Sequence, residues 1–190
     1  MRPTIPYRMH YDFGQVYQPE ADTYLLLDAA LKEVRPGDRV LEVGSGSGLI
    51  ATEVRKGART IATDINPHAV ICAHKAGVDV VRTDLVEAIR GRFDLILFNP
   101  PYLPTEPHER IDDWLEYALD GGKTGRATIE RFAADAGRVL APRGRILLLV
   151  SSLTGLDEVK ELFQTVRYTV DVIRQERVED EMLYVLRIHR

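Results

Sequence analysis

The chain has 190 residues, of which 45 % are hydrophobic and 28 % charged, as is usual for one globular domain. Its formal net charge of −4 disfavours a protein that binds nucleic acid or a membrane over its whole surface. No apolar run approaches a membrane span and the first ten residues lack an apolar signal core, so we expect a cytoplasmic protein. The single cysteine, Cys72, excludes an internal disulfide, and no histidine lies at a metal-ligand spacing from it, so no bound metal is expected.

Apolar periodicity predicts an irregular arm over residues 1–18, followed by alternating helices and strands. The predicted helices cover 20–34, 49–56, 67–76, 129–140 and 156–166. The predicted strands cover 39–43, 60–63, 78–82, 93–98, 145–150, 168–173 and 182–188. Alternation of this kind gives a parallel sheet covered on both faces. We therefore predict an α/β fold with a doubly wound, mostly parallel seven-stranded sheet and an antiparallel C-terminal hairpin. A single domain over 1–190, with a lid at 103–126, is expected.

A glycine-rich loop follows the first strand, as Glu42-Val43-Gly44-Ser45-Gly46-Ser47-Gly48. Glycines let a ligand approach the backbone closely. Asp64 ends the next strand, 20 residues after Gly44, where a carboxylate binds the ribose hydroxyls of a nucleoside. The third glycine comes one residue earlier than in dinucleotide sites, and Glu42 suits a cofactor with an ammonium and a sulfonium charge. We predict S-adenosylmethionine; a dinucleotide, or a tight turn without a ligand, is the alternative.

Thr83-Asp84-Leu85 follows the third predicted strand. In a doubly wound sheet this position borders the nucleoside, so Asp84 would accept a hydrogen bond from the adenine amino group. The backbone N–H of Leu85 would donate to the adenine ring. The alternative is that Asp84 is a helix N-cap, a position that favours aspartate.

Asn99-Pro100-Pro101-Tyr102 follows the most apolar strand. The prolines remove two backbone donors and stiffen the chain, which leaves the Asn99 side-chain carbonyl and the Pro100 carbonyl as fixed acceptors beside the Tyr102 ring. Such a pair would hold both N–H bonds of an NH2 group while its lone pair faces a methyl donor, and each bond strengthens as positive charge develops on nitrogen. The motif predicts N-methylation, with Asn99, Pro100 and Tyr102 as catalytic residues. The alternative is a structural strand-to-loop turn.

Together these motifs resemble the HemK-like branch of class I methyltransferases, which methylate a glutamine amide in translation release factors. The resemblance lies in VYQPEADT at 16–23, in the segments 41–48, 63–67 and 94–102, and in the Asp120-Gly121-Gly122 stretch. It covers almost the whole chain and is nearest to the short archaeal and eukaryotic form, which lacks the N-terminal helical domain of the bacterial enzyme. It implies the class I Rossmann-like fold and S-adenosylhomocysteine as the product.

The resemblance also implies site residues and a partner. It places around the cofactor and the target nitrogen Tyr17, Thr23, Glu42, Gly44, Asp64, Ile65, Asp84, Leu85 and Asn99; Tyr17 and Thr23 rest on the resemblance alone. Relatives of the short form work with a small zinc-binding activator that extends the sheet over an apolar edge. Val78, Val80 and Val81 in the third predicted strand would form that edge, because an uncovered apolar edge is a liability. The alternatives are that the arm or a homodimer contact covers it.

The acceptor pair also fits the adenine N6 amine of DNA, so the target needs a second argument. Residues 103–122 hold six acids against Arg110 as the only Lys or Arg, namely Glu106, Glu109, Asp112, Asp113, Glu116 and Asp120. An acidic lid favours a basic protein segment over a polynucleotide, although a solvated helix face is the alternative. The chain has no room for a DNA-reading domain, and a lysine amine needs deprotonation first. We predict the glutamine of a Gly-Gly-Gln motif in a release factor, free or bound to its GTPase partner. Lysine and adenine are the alternatives.

Overall fold

Helices and strands alternate along the chain in the computed structural model, which describes residues 12–106, 108–110 and 113–190. The helices are α1 (Ala21–Glu33), α2 (Leu49–Val54), α3 (Pro67–Lys75), α4 (Ala127–Val139) and α5 (Leu156–Thr165). The strands are β1 (Arg39–Val43), β2 (Arg59–Asp64), β3 (Asp79–Arg82), β4 (Phe93–Phe98), β5 (Leu140–Ser151), β6 (Thr169–Val178) and β7 (Glu181–His189). Short 3₁₀ turns lie at Phe13–Gln15, Glu116–Ala118 and Ser152–Thr154.

The strands form one sheet in the order β3-β2-β1-β4-β5-β7-β6. The first five are parallel to their neighbours, and β7 pairs antiparallel with both β5 and β6. The predicted seven-stranded, doubly wound sheet with an antiparallel C-terminal hairpin is confirmed. The strand order reverses between β1 and β4, and ligands of such sheets bind in the crevice outside the carboxyl ends of the strands at that point.

The central strands are buried on both faces, which explains their nearly continuous apolar sequence. Successive side chains point to opposite faces, so Ile96 packs with α4 and α5 while Leu95 and Leu97 pack with α1 and α2. Asn66 caps α3 by accepting a hydrogen bond from the His68 N–H, and Pro67 occupies the first helical turn. These contacts hold the carboxyl ends of β1, β2 and β4 in fixed positions.

Two element boundaries differ from the prediction by about five residues, and the others by no more than two. β5 begins at Leu140, immediately after α4, whereas the sequence predicted a helix through residue 140 and a strand from 145. Pro142 is tolerated there because the β4–β5 register shifts between Phe93 and Leu95, so the ladder is irregular at this end. β6 extends to Val178 rather than residue 173, because an edge strand carries charged side chains that hide the apolar alternation. Within the described ranges, no helix is both long and apolar enough to cross a membrane.

Candidate active site

A cleft opens at the carboxyl ends of β1, β2 and β4. Its empty space, counting the open solvent at its mouth, is about 1190 Å³. The cleft brings together ten of the residues predicted from the sequence: Tyr17, Thr23, Glu42, Gly44, Gly46, Asp64, Ile65, Asp84, Leu85 and Asn99. Residues that are far apart in the sequence therefore line the same cleft.

Gly48 is a predicted cofactor residue that does not line the cleft. It is the N-cap of α2 with φ +82°, and a Cβ built on it would lie 2.9 Å from the Ala73 Cα of α3. The glycine is therefore needed for close packing of two helices and for a left-handed backbone. Gly44, in contrast, does line the cleft, and a Cβ there would come no closer than 3.9 Å to another atom, the Asn99 carbonyl oxygen.

Glu42 is buried at the end of β1, where only 4 % of its surface is exposed. Its Oε2 accepts a hydrogen bond from the Ala51 N–H at 3.0 Å in α2. Burial raises the pKa of Glu42 to about 8, because desolvation disfavours the charged form more than this hydrogen bond favours it. No Lys or Arg of the described chain pairs with Glu42, so a cationic group entering the cleft would find an acid without a counter-charge.

Asp64 connects the end of β2 to the glycine loop. Its Oδ2 accepts from the Gly46 N–H at 2.9 Å and from the Ser45 hydroxyl at 3.3 Å, while Oδ1 accepts from the Asn66 N–H at 2.9 Å. Burial still raises its pKa above the ordinary value. The Ile65 N–H also donates to this carboxylate, so ribose hydroxyls bound here would share its oxygens with these donors. This arrangement suits the ribose hydroxyls expected here.

Thr83 to Leu85 form the far wall of the cleft. Residues 83–88 are a turn rather than a helix, so the alternative that Asp84 is a helix N-cap is wrong. Asp84 Oδ2 accepts from the Arg131 guanidinium, which leaves Oδ1 for another donor. Leu85 has a left-handed backbone (φ 45°), which is strained for this residue type, and no oxygen of the described chain accepts its N–H. A free donor beside a free acceptor fits an adenine edge.

Asn99 occupies the end of β4 with its two side-chain atoms in different roles. Nδ2 donates a hydrogen bond to Asp22 Oδ2 at 3.0 Å. Oδ1 is buried and has no hydrogen-bond partner among the described residues. An unpaired buried carbonyl oxygen costs free energy, so a donor from a ligand would be favourable at this place. The Pro100 carbonyl likewise receives no backbone donor within the part of the chain that is described.

Pro100 and Tyr102 were predicted as catalytic residues, but neither lines the cleft; Pro101 does. Pro100 is buried, and Tyr102 is half-buried against the apolar cluster that α1 covers. Burial raises the pKa of Tyr102 above its ordinary value, with a further contribution from the nearby Asp22 carboxylate. Pro100 and Tyr102 therefore support the backbone of the motif from the protein interior. Within the motif, Asn99 alone presents a side-chain acceptor to the cleft.

Asp22 is a site residue that the sequence did not single out. It lies in the first turn of α1, is 3 % exposed, and accepts from the Tyr17 hydroxyl as well as from Asn99. An acid in a first helical turn already has an ordinary explanation in the helix dipole, so its sequence position carries no functional signal. The contact with Asn99 spans 77 residues of sequence and only the fold shows it.

The lid adds aromatic side chains to the cleft. Trp114 and Tyr117 line it, with ring centroids 5.2 Å apart. Gln15 of the arm ties the lid to α3, because its Oε1 accepts from the Trp114 N–H at 2.9 Å and its carbonyl accepts from Asn66 Nδ2 at 2.7 Å. Sequence reasoning missed Trp114, although it is the only tryptophan of the chain.

Several of the acids predicted to attract a basic substrate serve the lid itself. The carboxylates of Glu109, Asp113 and Asp120 accept from backbone N–H groups three, three and two residues away. Asp120 also pairs with Arg110 at 3.0 Å. Asp112 lies outside the described residues. The negative charge of this segment is therefore partly used in folding it, and the attraction for a basic partner is weaker than the count of acids suggests.

Only part of the predicted apolar edge is exposed at the edge of the sheet. β3 is the first strand of the sheet and has no neighbour beyond it in the described chain. Val81 is 39 % exposed and Val80 is half-buried, but Val78 precedes the strand and is buried against Ala51 and Ala73. Including Val78 in the exposed edge was wrong, because its side chain fills the space between β3 and α3.

Comparison with known proteins agrees with this geometry. Residues 18–112 match the family described as "Methyltransferase small domain". A Methanocaldococcus jannaschii protein described as a "putative protein N5-glutamine methyltransferase" is 40 % identical, with 93 % of this chain and 92 % of that protein covered. The methyltransferase HEMK2 of Mus musculus is 36 % identical over 94 % of this chain and 91 % of that protein.

Among solved structures, a chain of the Mtq2–Trm112 complex of E. cuniculi superposes with a TM-score of 0.79 and 30 % identity, covering 93 % of this chain and 99 % of that one. That complex is described as responsible for methylation of the eRF1 translation termination factor. A ribosomal protein L11 methylase of Lactobacillus delbrueckii superposes with a TM-score of 0.71 at 17 % identity and shares the fold. The chain therefore belongs to the methyltransferases with the small methyltransferase domain and, within them, to the short form of the HemK-like glutamine methyltransferases.

Proposed function

We propose that this protein methylates the side-chain amide of the glutamine in the Gly-Gly-Gln motif of a translation release factor, with S-adenosylmethionine as methyl donor. One observation carries the proposal: Asn99 Oδ1 is a buried acceptor without a partner in the described chain, at the end of β4 beside the cleft. An amide NH2 has two hydrogens to donate and so matches such an acceptor.

The residues that would hold the cofactor fit its chemistry. Glu42 supplies an acid without a counter-charge for a cationic group, Asp64 supplies acceptors for ribose hydroxyls, and the Leu85 N–H supplies a donor for adenine. When bound, S-adenosylmethionine supplies an electrophilic methyl group on a sulfonium sulfur, and S-adenosylhomocysteine remains. Gly44 and Gly46 line the same wall and let a ligand approach the backbone. Tyr17 and Thr23 border the cleft from the arm and α1.

Asn99 Oδ1 would act on the target nitrogen. The Pro100 carbonyl, which has no backbone donor although Pro100 does not line the cleft, would be the second acceptor. An amide nitrogen is a poor nucleophile because its lone pair is delocalised into the carbonyl group. Two acceptors that hold its N–H bonds keep the lone pair directed at the methyl donor. Both hydrogen bonds become charge-assisted as positive charge develops on nitrogen, and together they would supply roughly 10²- to 10⁴-fold in rate. Tyr102 does not line the cleft. It packs against the apolar cluster that α1 covers, so it would restrict the movement of this turn rather than contact the target.

The relatives favour a protein substrate over DNA. Two of them are described in terms of glutamine methylation or of the eRF1 termination factor. The remaining acids of the lid, which include Glu116, still disfavour a polynucleotide backbone. A release factor acts in translation, so the reaction would take place in the cytoplasm. Methylation of a lysine amine or of adenine N6 would each give a different result in the test below.

We further infer a small zinc-binding activator that adds to the β3 edge. The E. cuniculi relative was solved as a complex of two proteins. β3 presents unpaired backbone groups and the exposed Val81, and a partner strand would satisfy both. The arm contacts α3 through Asp12 and His68 and contacts the lid through Gln15, so its described part does not cover β3.

The experiment uses labelled S-adenosylmethionine, with and without the candidate activator. Three substrates are compared: a release factor, its Gly-Gly-Gln→Gly-Gly-Asn variant, and duplex DNA. We expect label in the first alone, because the shorter asparagine side chain places its amide about one methylene short of Asn99. Label in DNA alone, or equal label in both release factors, would overturn the proposal.

A further inference from the structure

We propose that Asp22 is a positioning residue whose carboxylate fixes the Asn99 amide with Oδ1, rather than NH2, directed at the substrate. The inference deepens the proposed function and rests on it for the identity of the target. Asp22 does not touch the target nitrogen itself. It acts through the hydrogen bond that joins α1 to the end of β4.

Five donor groups surround the Asp22 carboxylate, the Tyr102 hydroxyl among them. Oδ2 accepts from Asn99 Nδ2 and from the Tyr17 hydroxyl, both at 3.0 Å. Oδ1 accepts from the Thr23 N–H and from the Thr23 hydroxyl, the latter at 3.1 Å. The side chain is 3 % exposed, so water does not compete strongly for these sites. The hydrogen bonds of the carboxylate are therefore all received from donors of the protein.

This arrangement decides which way the Asn99 amide points. The two ends of an asparagine amide have nearly the same shape, so packing alone does not distinguish them. A carboxylate has only acceptors, and therefore only the NH2 end of Asn99 can face it favourably. The opposite orientation would place two acceptor oxygens about 3 Å apart and would aim N–H donors at the N–H donors of the substrate.

The charge of Asp22 also acts on the acceptor. A donor that is hydrogen-bonded to an anion becomes more polarised, and the carbonyl of the same amide becomes a stronger acceptor. The carboxylate further places a fixed negative charge behind the Asn99 amide that would hold the nitrogen on which positive charge develops. Both effects are larger in the transition state than in the ground state, so they raise kcat more than they lower KM.

The Tyr17 hydroxyl keeps the carboxylate in place. Burial and the adjacent Asp22 charge raise the pKa of Tyr17 far above its ordinary value, so this hydroxyl stays protonated and donating. Tyr17 was expected to close the cofactor pocket. Tyr17 does line the cleft, and its hydroxyl also donates to Asp22, which assigns the arm a role in orienting Asn99.

The first test is Asp22→Asn. An asparagine at this position can face Asn99 with either end, so the amide of Asn99 is no longer fixed. We expect kcat for the release factor to fall about 10- to 100-fold, while the affinity for S-adenosylhomocysteine by calorimetry changes less than about threefold. Asp28→Asn is the matched control, because Asp28 lies on the same helix and pairs only with the exposed Lys32 and Arg174. It should leave kcat unchanged.

The second test reverses the polarity of the pair, as Asp22→Asn combined with Asn99→Asp. The NH2 group at position 22 can then donate to one carboxylate oxygen at position 99, and the other oxygen faces the substrate. The Tyr17 hydroxyl can accept the second amide hydrogen, since a hydroxyl both donates and accepts. We expect the double variant to recover at least about tenfold in kcat over Asp22→Asn. Loss of stability alone predicts no such recovery.

A third readout is independent of any substrate. In ¹⁵N spectra the Asn99 side-chain NH2 signals, identified by their loss in Asn99→Ala, should shift in Asp22→Asn and stay in place in Asp28→Asn. Unmoved signals, or full kcat in Asp22→Asn with active wild-type protein, would overturn the positioning role and leave the proposed function intact. Wild-type protein that transfers no methyl group to the release factor, with the signals shifted as expected, would overturn the proposed function alone.

Discussion

At the scale of single residues, two buried acids determine how the protein without cofactor responds to pH. Burial raises the pKa of Glu42 from 4.5 to about 8, and it also raises the pKa of Asp64. The folded protein therefore holds these protons more tightly than the unfolded chain does. Ionising Glu42 costs the folded state nothing below pH 4.5, costs progressively more as the pH rises, and has its full cost above about pH 8.

We expect Glu42→Gln to weaken this pH dependence. The free energy of unfolding of the wild-type protein should fall between pH 5 and pH 9 by an amount on the order of a few kcal/mol. In Glu42→Gln the fall should be smaller, because Asp64 still contributes and the amide oxygen still accepts from the Ala51 N–H. Urea unfolding at several pH values measures this, with exposed Glu87→Gln as control. Equal pH slopes in wild type and Glu42→Gln would contradict the assignment.

At the scale of elements, the junction of α2 and α3 depends on the absence of a side chain at Gly48. A methyl group there would meet the Ala73 Cα at 2.9 Å. Gly37 has a similar left-handed backbone, φ +87° against +82°, but no atom lies within 4 Å of its Cβ position. Comparing alanine substitutions at Gly48 and Gly37 therefore separates the cost of packing from the cost of backbone strain.

Gly48→Ala should therefore destabilise the protein more than Gly37→Ala. Backbone strain costs each variant about 1–2 kcal/mol, and overpacking adds roughly 1–3 kcal/mol for Gly48→Ala alone. Denaturant unfolding at pH 7 gives the difference directly. If the two variants lost the same stability, the contact between α2 and α3 would not be tight in solution.

The lid is the element that brings Trp114 and Tyr117 to the wall of the cleft, where we propose that the nucleoside binds. Trp114 lines the cleft and is the only tryptophan of the chain, so its emission reports on this site without labelling. We expect S-adenosylhomocysteine to change the emission with the same midpoint that calorimetry gives. Trp114→Phe should abolish the optical signal and keep the calorimetric affinity within about tenfold. Calorimetric binding with unchanged emission would show that the lid does not contact the nucleoside.

The elements were predictable from the sequence where local pattern decides them. β1 and β4 have the predicted bounds because buried parallel strands are mostly apolar in sequence. The cofactor wall was predictable because the glycine loop and Asp64 follow their strands at fixed places. The Asp22–Asn99 contact and the inward Trp114 were not, since each depends on how distant segments meet. Gly48 was predicted as a cofactor residue, whereas the structure shows it between α2 and α3, where a side chain would not fit. The sequence does not show what a glycine packs against.

At the scale of the whole molecule, the sheet ends in two different edges. β3 and β6 are its outer strands, and each exposes one valine to the same extent, Val81 and Val172 at 39 %. β3 is the shorter strand, with four residues against ten. The proposed activator would pair with β3 alone, so the two valines form a matched pair for locating it.

We expect Val81→Lys to weaken binding of the activator at least about tenfold, because a charge replaces apolar contact at the centre of the proposed interface. Val172→Lys should leave the affinity unchanged. Calorimetric titration of the zinc-loaded activator into each variant measures this. Weakened binding in Val172→Lys, with Val81→Lys unaffected, would place the partner on the opposite edge.

The central claim is that Asn99 holds a glutamine amide for methylation. Site-resolved tandem mass spectrometry of a release factor, after reaction with wild-type protein or Asn99→Ala, tests it most directly. We predict one methyl group on the amide nitrogen of the Gly-Gly-Gln glutamine with wild-type protein. With Asn99→Ala we predict none, while that variant still binds S-adenosylmethionine within about tenfold of wild type. A methyl group on a lysine instead, or an undiminished glutamine product with Asn99→Ala, would contradict the account.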